Sequence, residues 1–298
     1  ADCFVPAVKV PLTDEACFAV SIGGLKGGHS GAEIDKGRGS GNDLISRVLY
    51  SAMERLGTLR IADLRGGQFD NVICTRCDAV VAVPAGKAED FAAFIREFDD
   101  ILKNEYAATD GGVTLTCAAA DTDAAYSAED SSRLLHVLLT LPQGVEVMSA
   151  DFPGLVQTSL NLGVMTACGD GLHFSFSIRS SVATQKELLL QRVRAIVEYT
   201  GGGTVSTRGD YPAWQYARQS PLRDTVMAAY KDITGQDGVI MATHGGLECG
   251  LLINKMPGLD AVSLGPELHD IHSPRERLGV ASTARMYALV CKVLKNCR

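Results

Sequence analysis

The chain has 298 residues, 46% of them apolar and 21% charged, and a formal net charge of −7. That length predicts roughly two domains of ~100–200 residues, with enough apolar content for a core that needs no staples. The acidic balance and the lack of a Lys/Arg cluster exclude a general nucleic-acid surface, and no apolar run approaches the ~18 residues of a membrane span.

The opening "ADCFVPAVKVPL" has no initiator Met, no signal-peptide pattern and no evident first element. It reads as a chain that begins partway through something. Alternation over "ACFAVSIGGL" (16–25) predicts a strand. "GNDLISRVLYSAMERLG" (41–57) predicts a helix, with Asn42 or Asp43 as N-cap and Gly57 as stop. "TLRIADLRGG" and "NVICTRCDAVVAVP" have strand composition. "KAEDFAAFIREFDDILKNEYA" is an amphipathic helix whose stripe runs Phe91, Phe94, Ile95, Phe98, Ile101, Leu102. The strand "GGVTLTCAAA" closes a βαββαβ unit.

A similar rhythm follows. "SSRLLHVLLTLP" predicts a helix, and "LVQTSLNLGVMTAC" with "GLHFSFSIRSS" predicts a hairpin joined near Gly169-Asp170-Gly171. The helix "TQKELLLQRVRAIVEYTG" and the strand "GTVSTRGDY" complete it. The expected fold is a duplicated βαββαβ domain over 1–210, antiparallel sheets with helices on one face, its similar halves near 15–120 and 121–210. From 211 to 298 the pattern changes to αβαβα, with "GVIMATHGG" and "LDAVSLG" as short apolar strands. Two such strands cannot bury three helices, so this stretch reads as one edge of a larger α/β domain.

Nine cysteines, an odd and scattered set, sit mostly in apolar stretches. They read as buried thiols of a reducing cytoplasm rather than a disulfide framework. "CTRC" (Cys74 to Cys77) has C-x-x-C spacing but no second pair, and strand geometry sends its thiols apart.

Five stretches carry candidate chemistry. "GLKGGHSG" sets His29 on a glycine loop ahead of a helix, where an imidazole can donate to a developing oxyanion; the plain alternative is a loop histidine. Arg179, ending the strand "FSIRSS", can clamp a carboxylate with two parallel hydrogen bonds, although a lone Arg is more often solvated. Asn71 opens a strand after "RGGQFD", a common place for Asn. "THGGLECG" sets Gly245 and Gly246 at a turn into a helix, with Glu248 in its first turn, which suits an anion or is simply a good helix start. "LHDIHSPRE" offers His269 and His272, but the chain has no H-x-D, no Glu-Glu pair before a glycine turn, no H-E-x-x-H and no second ligand cluster.

"GLKGGHSG", "THGGLECG" and "HSPRE", in this order and at these separations, resemble the M20 family of zinc aminopeptidases and dipeptidases, and within it the aminoacyl-histidine (Xaa-His) dipeptidases. The resemblance runs from about residue 5 to the C-terminus. It implies that 1–210 is a lid domain of dimerisation type and that 211–298 is the C-terminal portion of a zinc-peptidase α/β catalytic domain. It implies hydrolysis of Xaa-His dipeptides such as β-Ala-His with two zinc ions per complete active site, in a fragment lacking most metal ligands and inactive alone, with zinc not retained. His272 then matches the final zinc ligand and His29 the lid histidine on the oxyanion. Asn71 and Arg179 match substrate-binding positions, Arg179 on the C-terminal carboxylate, and Gly245 and Gly246 line the pocket. Glu248 is assigned here to the substrate's amino group. The implied partners are a dipeptide and a second copy through the lid, with no nucleic acid or membrane; whether His29 acts within its chain or across a dimer stays open. The alternatives are a non-catalytic dimerisation or peptide-binding module, or another M20 exopeptidase or deacylase.

Overall fold

Strand structure begins at the second residue, where the sequence shows no evident element. Residues Asp2–Pro6 (β1) bury Cys3 and Val5 and turn their neighbours outward, the period-2 signature of a half-buried strand. The computed structural model describes residues 1–270 and 274–297, which divide into two units, Ala1–Asp210 and Tyr211–Arg298.

In the first unit β1 is followed by β2 (Lys9–Pro11), β3 (Glu15–Gly23), β4 (Gly28–His29), α1 (Gly41–Leu56), β5 (Arg60–Gly66), β6 (Val72–Ile73) and β7 (Cys77–Pro84). Next come α2 (Ala88–Glu105), β8 (Thr114–Ala119), β9 (Ala124–Tyr126), α3 (Ala128–Thr140) and β10 (Gly144–Met148). The hairpin β11 (Val156–Ala167) and β12 (Gly171–Ser180), α4 (Ala183–Arg194) with a π-helical turn over Ala195–Thr200, and β13 (Thr204–Ser206) complete it. The stripe of α2 faces inward except for Ile101 at its edge. Helix α1 starts one residue before the expected caps: Ser40 is its N-cap, and Asn42 is buried, donating from Nδ2 to the Leu162 carbonyl at 3.0 Å.

Eight strands run in one antiparallel sheet, ordered β13-β1-β12-β11-β5-β7-β3-β8, and β10 also pairs with β11. The order is two copies of one pattern. Strands β3, β5, β7 and β8, with α1 and α2, form a split βαβ unit ordered 2-3-1-4. Strands β1, β11, β12 and β13, with α3 and α4, form a second one ordered 4-1-3-2. The second copy takes its first strand from the N-terminus, so the halves are not consecutive. The first repeat is inserted between β1 and α3. The repeats meet where Gly66 and Arg65 of β5 pair with Met165 and Thr166 of β11.

The helices form one layer on this sheet, α1 touching α2 and α3, and α3 touching the π-helical turn. One continuous apolar core lies beneath, from Val5 through Ile22, Ile61, Phe91, Leu134 and Leu160 to Phe176.

The second unit holds α5 (Pro221–Thr234), α6 (Glu248–Lys255), a minimal ladder of β14 (Leu268–His269) with β15 (Arg277–Leu278), and α7 (Val280–Asn296). Ser220 caps α5 by accepting from the Arg223 N–H at 3.1 Å, with Pro221 behind it. The strands expected at "GVIMATHGG" and "LDAVSLG" are irregular segments. A strand persists only when a neighbour takes its backbone hydrogen bonds, and among the described residues no strand lies beside either. No helix among the described residues is long and apolar enough to cross a membrane.

Candidate functional site

Two positive-φ glycines, Gly27 (φ 64°) and Gly28 (φ 142°), swing the chain off β3 toward β4, a path that side-chain-bearing residues resist. A Cβ at Gly28 would stand 2.7 Å from both Arg38 and the Glu33 carboxylate. His29 then pairs with Val72 of β6. Glu33, four residues on, accepts the His29 N–H at 3.0 Å and the Arg38 guanidinium at 2.8 Å. The His29 N–H, more than any other group, holds the Glu33 carboxyl below its ordinary range.

The imidazole itself is oriented by backbone. Its Nδ1 accepts from the N–H groups of Gly31 at 3.1 Å and Ala32 at 3.2 Å. An acceptor at Nδ1 puts the ring proton on Nε2. His29 is therefore set as a neutral Nε2–H donor.

Arg179, next to last in β12, pairs with Ser159 across the hairpin. It reaches the same place from the other repeat: a Cβ on Gly31 would stand 3.0 Å from His29 Cε1 and 3.3 Å from Arg179 Cζ. Imidazole and guanidinium thus flank one glycine. Burial pulls Arg179 below its ordinary pKa while the Asp70 charge pushes it up, and it stays protonated because the unperturbed value is so high. Its Nε is buried without a hydrogen-bond partner among the described residues, which costs free energy unless something accepts from that side.

Asn71 is exposed at the turn before β6, and its carbonyl accepts from the Ser30 N–H at 2.9 Å. Buried Asn161 of β11 holds that turn from below, donating through Nδ2 to the carbonyls of Asp70 at 2.8 Å and Val72 at 2.9 Å. Arg208 links Asp70 to Asp2, each contact 2.7 Å. The structure therefore gathers His29, Asn71 and Arg179 at the seam between the repeats, about 150 residues apart in sequence. Sequence reasoning missed Glu33 and Asn161. The signals were a carboxylate at i+4 from His29 and a lone amide inside the apolar run "SLNLGVM".

Gly245, Gly246 and Glu248 lie together in the second unit. A Cβ on Gly246 would come within 2.3 Å of the Tyr211 ring, so packing alone demands glycine there. Gly245 donates its N–H to Thr243 Oγ1 at 3.1 Å, and Glu248 opens α6. His272 lies outside the described residues.

Cys74 and Cys77 are buried, and desolvation raises both thiols, so neither is a ready thiolate. A ligand trio does exist elsewhere, contrary to the expectation of no second cluster. Cys168, Asp170 and His173 bring their ligand atoms within 4.8 Å of one another at the β11–β12 turn. The hairpin's register makes them neighbours, and a linear scan for metal motifs passes over it.

Residues 20–110 match the peptidase dimerisation domain of M20 type. Over 280 residues the chain is 33% identical to the cytosol non-specific dipeptidase of Escherichia coli (strain K12), a match covering 94% of this chain and 57% of that protein. The crystal structure of aminoacylhistidine dipeptidase from Vibrio alginolyticus superposes with a TM-score of 0.92 at 28% identity, covering 99% of this chain and 60% of that one. The chain thus spans rather more than half the length of these relatives.

Proposed function

We propose that this chain, which matches the M20 peptidase dimerisation domain over residues 20–110 and is 33% identical to a dipeptidase, is an M20 peptidase chain that grips and orients the substrate of a zinc dipeptidase acting on Xaa-His dipeptides. The observation that carries the reading is the pairing of an oriented Nε2–H donor with a partly desolvated guanidinium around Gly31. Peptide hydrolysis needs a donor where charge develops on the carbonyl oxygen, and an exopeptidase needs a fixed cation for the terminal carboxylate.

His29 donates from Nε2 to the oxygen of the scissile carbonyl as it becomes an oxyanion. Such a donor is worth ~3–4 kcal/mol when lost. Arg179 takes the substrate's C-terminal carboxylate through two parallel bonds, and its partial burial strengthens them. Asn71, on a turn held by Asn161, offers an amide to the substrate backbone. In the second unit, Gly245 and Gly246 offer a backbone turn to substrate, and Glu248 a carboxylate for its free amino group. When bound, zinc supplies a hydroxide nucleophile and polarises the carbonyl. His272 is the ligand this chain contributes, and one imidazole is too small a donor set for two ions. Zinc at that site is therefore not retained by this chain alone, and the chain alone does not hydrolyse dipeptides.

The match to a dimerisation domain supports a homodimer. Because β5 of the matched repeat already pairs with β11, the edges of this sheet left for a second copy among the described residues are β8, β13 and the outer side of β10. The cytosol address in the Escherichia coli relative's name supports a cytoplasmic protein. That relative is called non-specific and the Vibrio enzyme aminoacylhistidine, so breadth of substrate has to be measured.

Calorimetric titration with β-Ala-His, Gly-Gly and C-terminally amidated β-Ala-His tests the grip. The expected result is binding of the free acids, with the amide at least tenfold weaker because it presents no carboxylate to Arg179. Arg179→Ala should abolish the difference between acid and amide. Equal binding of acid and amide by the unaltered chain sinks the assignment.

A further inference from the structure

We infer that the tip of the β11–β12 hairpin is a second divalent-metal site, made by Cys168, Asp170 and His173 for an ion of zinc type. The inference does not rest on the peptidase reading. It starts from register: Thr166 faces His173 across the hairpin, and Cys168 closes the turn by donating its N–H to the Gly171 carbonyl at 2.7 Å. Residues two apart on a strand share a face, so Cys168 and His173 are diagonal neighbours on one face, with Asp170 in the loop between.

Their ligand atoms, one each of sulfur, imidazole nitrogen and carboxylate oxygen, all lie within 4.8 Å of one another. Bond lengths of ~2.0–2.3 Å around a tetrahedral ion set neighbouring ligand atoms about 3.5 Å apart. Shifts of about 1 Å in the ligand atoms would bring the trio to that spacing.

The frame beneath these side chains is fixed independently of any ion. The buried Tyr126 hydroxyl stands 2.5 Å from the Cys168 carbonyl and 2.6 Å from the Gly171 carbonyl, and accepts the Cys168 N–H at 3.1 Å. The Asp170 carbonyl accepts the Ala7 N–H at 3.0 Å. Phe4 packs on the His173 ring with centroids 4.6 Å apart. Gly171, with φ 154°, tucks so closely against β1 that a Cβ would stand 2.2 Å from the Val5 carbonyl. The backbone of Cys168 is thus held by β9, that of Asp170 by Ala7 and the His173 ring by β1 before binding, which removes part of the ordering cost of forming a site.

The donor set names the ion. A thiolate and an imidazole with one carboxylate favour zinc and its cobalt substitute over magnesium or calcium, which take oxygen shells. On binding, the Cys168 thiol gives up its proton to solvent. Water completes a fourth position on the exposed side, so this is a labile site that staples the hairpin tip.

The test titrates the purified, metal-stripped chain with Co²⁺ alone and follows the thiolate-to-cobalt charge-transfer band in the near ultraviolet. The expected result is one equivalent bound with the band present, retained in His272→Ala, and weakened at least tenfold by Cys168→Ser and by His173→Gln. His173 is exposed, so its variant keeps the fold if Cys168→Ser does not. In parallel, zinc should slow alkylation of Cys168 selectively among the nine cysteines, read by peptide mass mapping. Absence of the band, its loss in Cys77→Ser instead, or its loss in His272→Ala overturns the inference. That last outcome would place the metal at the peptidase site, leaving the substrate grip proposed above standing but not the statement that this chain alone retains no metal there.

Discussion

Asn161 serves the site without touching substrate in the proposed mechanism. It has no exposure to speak of, and its two Nδ2 bonds hold the carbonyls on either side of Asn71. Asn161→Ala leaves both carbonyls short of a partner and opens a cavity, costing about 2 kcal/mol by denaturant midpoint. Asn161→Leu should cost no less, because an apolar side chain cannot meet the carbonyls either. A substitution that left stability unchanged would mean the turn is held from elsewhere. Gly31 is the converse case. Its missing side chain leaves room for imidazole and guanidinium together, and a methyl there would stand closer to both than ordinary packing permits. Gly31→Ala should weaken dipeptide binding at least tenfold with a denaturation midpoint shifted by less than ~1 kcal/mol. Equal losses in both would make Gly31 a packing residue only.

Among the elements, the short ribbon of β2 with β9 depends on one guanidinium. Arg60, on β5, donates to the carbonyls of Tyr126 at 3.0 Å, Val10 at 2.9 Å and Ala125 at 3.2 Å, and meets Glu15 of β3 at 2.6 Å. The Glu15 carboxyl is held below its ordinary range first by the Thr13 N–H and then by Arg60, against a burial penalty. A carboxyl depressed by folding contributes stability that is fully present above its unfolded value near 4.3 and is lost as pH falls through its folded value. Urea midpoints should therefore drop between about pH 5 and pH 3. Glu15→Gln should start about 2 kcal/mol lower at neutral pH and lose less over that interval. Parallel pH profiles for the two proteins would remove Glu15 from the account. The same scale shows what a sequence makes legible. Helices α1, α2, α3 and α5 announce themselves through an apolar stripe at 3.6 spacing, a local property. Strand β1 does not, because "DCFVP" offers two inward residues and its partners β12 and β13 lie some 170 and 200 residues away. His29 stood out by its glycine motif, and Arg179 only through the family resemblance. Their meeting at the seam did not, since it depends on the insertion of one repeat into the other.

Taken whole, the chain is two kinds of material. Of the apolar side chains buried in the described structure, only Ala229 and Leu289 belong to the second unit, while the first unit holds the core from Cys3 to Val197. Val239, Met241 and Val280 are each more than four-fifths exposed. Burial contributes roughly 25 cal/mol per Å² of apolar surface, so helices α5, α6 and α7 gain little of what normally offsets chain entropy. Among the described residues the second unit's only ladder is the two-residue pairing of β14 with β15, and such ribbons are marginal by themselves. Local opening free energies follow buried contacts. Native-state hydrogen exchange should then show slow amides in β3, β7, β11 and α1, close to the global unfolding free energy. Amides of α5 and α7 should exchange at least a hundredfold faster, corresponding to a difference of about 2.7 kcal/mol. Urea should melt the helical signal of the second unit before the sheet. If both sets of amides exchanged alike and melted in one transition, the exposed Val239, Met241 and Val280 would have to be covered in solution, with assembly into a larger body as the next thing to measure.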